Sequence, residues 1–99
     1  MNKSEIKNRI ANLLKGESEI EKIIIFGSFN NSEIPNDIDI AVIQNSSENY
    51  LTLAMKYRKL IRSVSKEIAI DIFPIISEKE SSFFNNEIAT GEIIYARRN

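Results

Sequence analysis

Histidine and cysteine are both absent from the 99 residues. Without histidine, the side chain that titrates nearest neutral pH is missing, and with it the usual general acid or base. Without cysteine there are no disulfides and no thiolate chemistry. Lacking both, the chain has no donor set for a structural or catalytic zinc, so any metal would be a hard cation held by oxygen, such as Mg2+ or Mn2+. Charge of one sign is also lacking. The formal net charge is -1, which gives no signal for nucleic acid or a membrane surface as partner. No apolar run approaches the length of a membrane span, and the N-terminus lacks the basic-then-apolar layout of a secretion signal. A cytoplasmic protein is the expectation. The length predicts one domain over residues 1–99, and 42% hydrophobic residues suffice for a small core.

Aspartate is the other scarcity. Eleven glutamates stand against three aspartates, and those three are Asp37, Asp39 and Asp71. Acidic surface positions on helices account for much of the glutamate excess. The aspartates that remain sit where a site would need a short, stiff carboxylate stem. Around them the chain reads Ile23-Ile24-Ile25-Phe26-Gly27-Ser28, then eight residues, then Asp37-Ile38-Asp39-Ile40. An apolar strand runs into a Gly-Ser turn, and a second strand opens with two carboxylates one residue apart. Side chains alternate along a strand, so Asp37 and Asp39 share one face and Ile38 and Ile40 the other. Eight residues are too few for a parallel crossover, which needs about a dozen or more, so the strands at 22–27 and 37–43 should pair antiparallel. That pairing brings Gly27-Ser28 beside Asp37 and Asp39.

The remaining segments follow simple patterns. Ser4 can cap a first helix whose face is Ile6, Ile10, Leu13 and Leu14, with Gly16 as its stop. Ser46 or Ser47 can cap a long helix to about Ser65, with Tyr50, Leu53, Ala54, Tyr57, Leu60 or Ile61, and Val64 inward. This crossover is long enough for a parallel third strand over 68–75. Asp71 would then lie near the same end as Asp39, on a strand about 4.8 Å away. Pro74 marks that strand as an edge. Ser77 and Glu80 form a capping box for a last helix bearing Phe83, Phe84, Glu87 and Ile88, ended by Gly91. Residues 92–95 read as an extended tail on the sheet, and 96–99 as frayed. The predicted fold is α+β, a two-layer arrangement with a small mixed sheet of three to four strands flanked by helices.

Three clustered carboxylates repel. At about 4 Å and an effective dielectric near 20, each like-charge pair costs roughly 4 kcal/mol. No Lys or Arg lies between Ile23 and Lys56 to relieve this. A domain stabilised by roughly 5–15 kcal/mol needs a counter-cation or a raised pKa to keep such a cluster. Divalent metal resolves the repulsion, and a two-metal site would suit in-line phosphoryl or nucleotidyl displacement. In that reading Asp37 and Asp39 bridge the ions. Asp71 holds the metal nearest the attacking hydroxyl and accepts its proton. The Ser28 hydroxyl and the N–H groups after Gly27 hold the terminal phosphates. Taken singly, Gly-Ser turns and Asp-x-Asp pairs are weak signals, since most serve turns and caps. Their combination is stronger.

Gly27-Ser28, a short gap, Asp37-x-Asp39 and an isolated Asp71 on the next strand resemble the minimal nucleotidyltransferase (MNT) domain of the DNA-polymerase-β-like superfamily. The resemblance covers most of the chain, from the leading helix to Gly91-Glu92-Ile93-Ile94-Tyr95. It implies the polymerase β-like nucleotidyltransferase fold, with Gly27 and Ser28 as the phosphate-binding turn and Asp37, Asp39 and Asp71 as catalytic and metal-binding carboxylates. It implies transfer of AMP from ATP with release of pyrophosphate, dependent on Mg2+ or Mn2+. Larger members carry extra domains for their acceptors, so a chain of this size is expected to find its acceptor surface on a partner. Small members resemble the antitoxins of HEPN/MNT toxin–antitoxin pairs, which implies a HEPN ribonuclease toxin as partner, silenced by AMPylation of a tyrosine. A homodimer or hetero-oligomer would cover apolar residues such as Phe83 or Tyr95.

Two departures from the family pattern motivate an alternative. Members often carry a Gly and an Arg just after the Gly-Ser. Here Phe29, Asn30, Asn31 and Ser32 include no basic residue, and Asn36 stands where Ser is common. The alternative is a catalytically weak MNT-like antitoxin or nucleotide-binding module that neutralises its partner by contact. A basic stretch, Lys56, Arg58, Lys59, Arg62 and Lys66, has three readings: a solvated helix face, a triphosphate clamp, or a docking stripe for an acidic partner. A nucleic-acid-binding module is disfavoured by the charge and by the lack of an aromatic-basic platform.

Overall fold

The apolar run at 23–26 belongs to a strand buried on both faces, which explains why it does not alternate with polar residues. In the computed structural model, which describes residues 2–33, 35–82 and 91–98, this strand is β1 (Ile20–Phe26). It pairs antiparallel with β2 (Asp37–Gln44) on one side and with β4 (Glu92–Ala96) on the other. β3 (Ala69–Ile76) pairs parallel with β2, giving a four-stranded mixed sheet of order β3-β2-β1-β4. The antiparallel β1–β2 pair is the one connector length demands, and the parallel β2–β3 pair the one the long crossover allows. Pro74 lies on an edge strand, where its missing N–H costs no ladder bond.

One sheet face carries the main core. Ile23 and Ile25 of β1, Ile38, Ile40 and Val42 of β2, and Ile72 of β3 meet Ile6, Ile10 and Leu14 of α1 (Lys3–Leu14). Leu53 and Tyr57 of α2 (Tyr50–Leu60) and Val64 of α3 (Arg62–Ser65) close over them. Each fully buried Ile contributes about 1.5–3 kcal/mol of transfer free energy. The opposite face holds a smaller cluster of Ile24, Phe26, Ala41 and Ile43, packed against Phe73 and Ile75.

Several local expectations shift. Asn2, not Ser4, caps α1, its side-chain oxygen accepting from the Glu5 N–H at 2.8 Å. Asn49, not Ser46 or Ser47, caps α2 through the Thr52 N–H at 2.9 Å. Ser46 is engaged in its own turn, where its hydroxyl accepts from the Glu48 N–H and its N–H donates to Gln44 Oε1. The long helix breaks at buried Ile61 (φ -100°, ψ 16°), so α2 and α3 are separate pieces. Tyr50 lies at the helix start and is 53% exposed rather than inward. Ser77 does not build the capping box. Its hydroxyl donates to the Glu21 carboxylate and the Gln44 carbonyl, while Glu80 pairs with Lys22. The predicted last helix begins within the described residues, which are helical at 80–82, while its Phe83, Phe84, Glu87 and Ile88 lie outside them. Tyr95 packs against the main core. Ala96 closes β4, and the Arg97 N–H donates to the Glu21 carbonyl at 2.8 Å, so this part of the tail is bound rather than frayed.

Candidate active site

The site begins where β1 ends. Gly27 opens a short 3-10 turn (Gly27–Asn30) with φ at 78°, the left-handed region that side chains disfavour. A second constraint acts at the same position. A Cβ placed on Gly27 would stand 2.5 Å from Asp39 Oδ2, well inside contact distance. Gly27 therefore meets two demands: it turns the chain and it leaves room for a carboxylate against the backbone. The antiparallel register sets Phe26 opposite Asp39, which delivers that carboxylate to the turn.

Asp39 in turn lies opposite Asp71 in the parallel β2–β3 ladder, and Asp37 opposite Ala69. By the alternation of the strands, Asp37, Asp39 and Asp71 all project on the face that carries Ile24, Phe26, Ala41 and Phe73, away from α1 and α2. Asp71 is exposed, and Asp37 and Asp39 are half-buried. Asp37 and Asp71 make no ion pair among the described residues. All three carboxylates thus share one open face next to the glycine turn. Among the described residues, no three carboxylates form a ready-made cage around one ion. The donors on this face are oxygen only and open to water, a set that suits a hard cation and not a thiolate or imidazole centre.

Asn30 ties the end of the turn back to β1, its side-chain N–H donating to the Ile25 carbonyl at 3.0 Å, while Asn30 Oδ1 is buried without a partner among the described residues. Two basic residues stand near the turn although none follows it in sequence. Lys3 Nζ lies 5.2 Å and Lys7 Nζ 5.9 Å from the centre of the Phe29 ring. Lys7 also pairs with Glu92 at 2.7 Å. These lysines come from α1, some twenty positions upstream of Phe29, and nothing local in the sequence marks them. A recess of about 830 Å³ opens beside the turn, lined by Lys3, Phe29, Asn36 and Ala69 among others, though by none of the three aspartates.

The basic stretch divides. Lys56 pairs with Glu17 at 2.7 Å and Glu19 at 2.9 Å, before the start of β1 and so at the end of that strand away from Gly27. The triphosphate-clamp reading therefore fails for Lys56. Arg58 instead lines a small surface recess with Asp71, Ile61, Ser65 and Ile70 at the β3 edge.

The family model "Polymerase beta, Nucleotidyltransferase" matches residues 8–99. No curated protein matches the chain. Among solved structures, the chain is similar to one from a complex of a tri-AMPylated Shewanella oneidensis HEPN toxin with an MNT antitoxin, at 21% identity and a TM-score of 0.60, covering 95% of this chain and 72% of that one. It is similar to another from a MntA–HepT toxin–antitoxin crystal at 19% identity and a TM-score of 0.64, covering 96% and 74%. A third, from a toxin–antitoxin crystal with AMP-PNP, gives 22% identity and a TM-score of 0.61, covering 93% and 74%. The glycine turn against an aspartate, the three aspartates on one face and the mixed sheet thus occur in a chain that belongs to the polymerase β nucleotidyltransferase family.

Proposed function

We propose that this nucleotidyltransferase moves AMP from ATP to a protein acceptor, and that it is the antitoxin of a HEPN/MNT pair working in the cytoplasm. The observation that carries the reading is the approach of the Asp39 carboxylate to Gly27, with Asp71 beside Asp39 in register. In this reading the turn would hold phosphate and the carboxylate metal, side by side. Solved structures similar to this chain come from toxin–antitoxin complexes, one with an AMP-modified toxin, which supports the acceptor class.

In the proposed reaction an acceptor hydroxyl oxygen bonds to the α-phosphorus, and the bond from that phosphorus to the bridging oxygen breaks to release pyrophosphate. Asp37, Asp39 and Asp71 would hold divalent metal, and the exposed Asp71 would also take the hydroxyl proton. Ser28 and the N–H groups of the Gly27–Asn30 turn orient the terminal phosphates. Bound Mg2+ or Mn2+ would offset the charge of the carboxylates and of the departing pyrophosphate. No helix among the described residues is long and apolar enough to cross a membrane.

Label transfer tests the reading. The chain is incubated with Mg2+, the product of the neighbouring gene, and ATP labelled at the α- or the γ-phosphate. The expected result is label on the partner from the α-position alone. A stable complex without transfer would instead favour an antitoxin acting by contact, the reading motivated by the lack of a cation in Phe29 to Asn36.

A further inference from the structure

The outward face of α2 and α3 carries a pattern that neither the core nor the carboxylate site uses. Leu53, Ala54, Tyr57, Ile61 and Val64 are its inward positions. On the opposite side, Leu51, Met55, Lys59 and Arg62 follow at i, i+4, i+8 and i+11. Leu51 is 67% and Met55 63% exposed, and Lys59 and Arg62 are exposed as well. Single exposed apolar residues need no explanation. Here two of them continue directly into a cationic stripe. No acid occurs from Asn49 to Lys66, although the whole chain is net -1. Lys7, Lys22 and Lys56 are neutralised by glutamates, but Arg58, Lys59, Arg62 and Lys66 make no ion pair among the described residues.

We infer that this face is the docking surface for the protein partner, and that it takes an acidic protein surface with apolar side chains against Leu51 and Met55 and carboxylates against Lys59 and Arg62. The inference rests on the partner reading above and adds the place and the chemistry of contact. Charge complementarity selects an acidic occupant. The apolar half favours protein over nucleic acid, because the stripe lacks the aromatic-basic platform on which bases stack. α2 covers the sheet face opposite Asp37, Asp39 and Asp71, so the docking face and the carboxylate face are distinct surfaces.

The test measures affinity for the product of the neighbouring gene, at about 0.15 M salt and again in higher salt. Lys59→Glu/Arg62→Glu and Leu51→Ala/Met55→Ala are each expected to weaken binding at least about tenfold. The charge variant should also lose most of the salt dependence, and Lys59→Arg/Arg62→Lys should bind like the unaltered chain. Circular dichroism and the melting shift given by Mg2+ and ATP should be unchanged, which separates lost docking from lost folding. Variants that bind as tightly as the unaltered chain would overturn the docking face and leave the partner reading standing. An unaltered chain that does not bind would overturn both. Tight binding to mixed-sequence RNA instead, abolished by Lys59→Glu/Arg62→Glu, would reassign the stripe to nucleic acid and overturn the inference.

Discussion

Acidic residues gather at both ends of β1, and the two gatherings differ in what surrounds them. Before the strand starts, Glu17 and Glu19 are met by Lys56, and the buried Tyr57 hydroxyl donates to Glu19 Oε2 at 2.8 Å. Burial alone would raise the Glu19 pKa, but the hydrogen bonds from Lys56, the backbone and Tyr57 outweigh it and hold the carboxyl below its ordinary value. Hydrogen bonds to Glu17 and then to Glu19 raise the Lys56 pKa, and burial together with Glu19 pushes the Tyr57 phenol far up. Past the strand's other end, Asp37 and Asp71 share an open face with no ion pair among the described residues, beside a glycine whose missing side chain makes room for Asp39. A neutralised acid cluster fastens the fold. An exposed one, built around a constrained glycine, leaves its charge for something that binds.

The sharpest way to break this contrast is Asp39→Asn. Transfer should fall at least about a hundredfold, the loss typical of removing one group that stabilises transition-state charge, while the chain still melts cooperatively. Label transfer and a thermal melt read the two halves. Retained transfer would remove Asp39 from the chemistry.

Gly27→Ala should follow in size and damage both properties. The left-handed backbone costs roughly 1–2 kcal/mol for a residue with a Cβ. For a domain of this length that lowers Tm by about 4–8 °C per kcal/mol. The new methyl would also force Asp39 away, so transfer should drop further than stability explains. A crystal structure or NMR shifts of Asp39 in the variant would show the displacement.

How legible these two ends were differs sharply. The carboxylate end could be read almost whole, because its logic is local. A Gly at a strand end, alternation along β2 and a connector too short for a crossover bring Gly27 to Asp39 without any knowledge of the core. The length of the α2–α3 crossover then carries Asp71 into register with Asp39. The other end was illegible, since Glu17, Glu19 and Lys56 meet only after α2 has docked on the sheet. Helix caps misled for a related reason. Asn2, Asn49 and the serines near them are all competent caps, and which one is used depends on turns such as that of Ser46, which propensity does not resolve. Lys3 and Lys7 near Phe29 were missed because α1 reaches the turn only through tertiary packing.

Tyr57→Phe probes the fastening end. Removing the hydroxyl takes one hydrogen bond from Glu19 and should cost about 0.5–1.5 kcal/mol, read as a lower Tm with unchanged transfer. Acid should act on the same cluster. The folded pKa of Glu19 lies below its unfolded value, so its contribution to stability is fully present above the unfolded value and is lost as pH falls through the folded one. Tm should therefore decline on acidification through the lower glutamate range, and less steeply in Glu19→Gln. Equal slopes would show that another carboxylate governs acid unfolding.

The smallest expected effect sharpens the carboxylate end. Phe29 to Asn36 supply no cation after the glycine turn, yet ATP brings several negative charges to it. Lys3 is the lysine closer to the Phe29 ring, and Lys7, the other, is drawn to Glu92. A half-buried lysine beside the turn is worth about 0.2–1 kcal/mol to an anion held there, so Lys3→Ala should raise the KM for ATP about two- to fivefold with kcat nearly unchanged. The increase should shrink in high salt, because screening already weakens the contact in the unaltered chain. A fall in kcat with unchanged KM would place Lys3 at the reacting phosphate rather than along the approach to it. No change in either would mean that the backbone N–H groups of the turn hold the phosphates without help from α1.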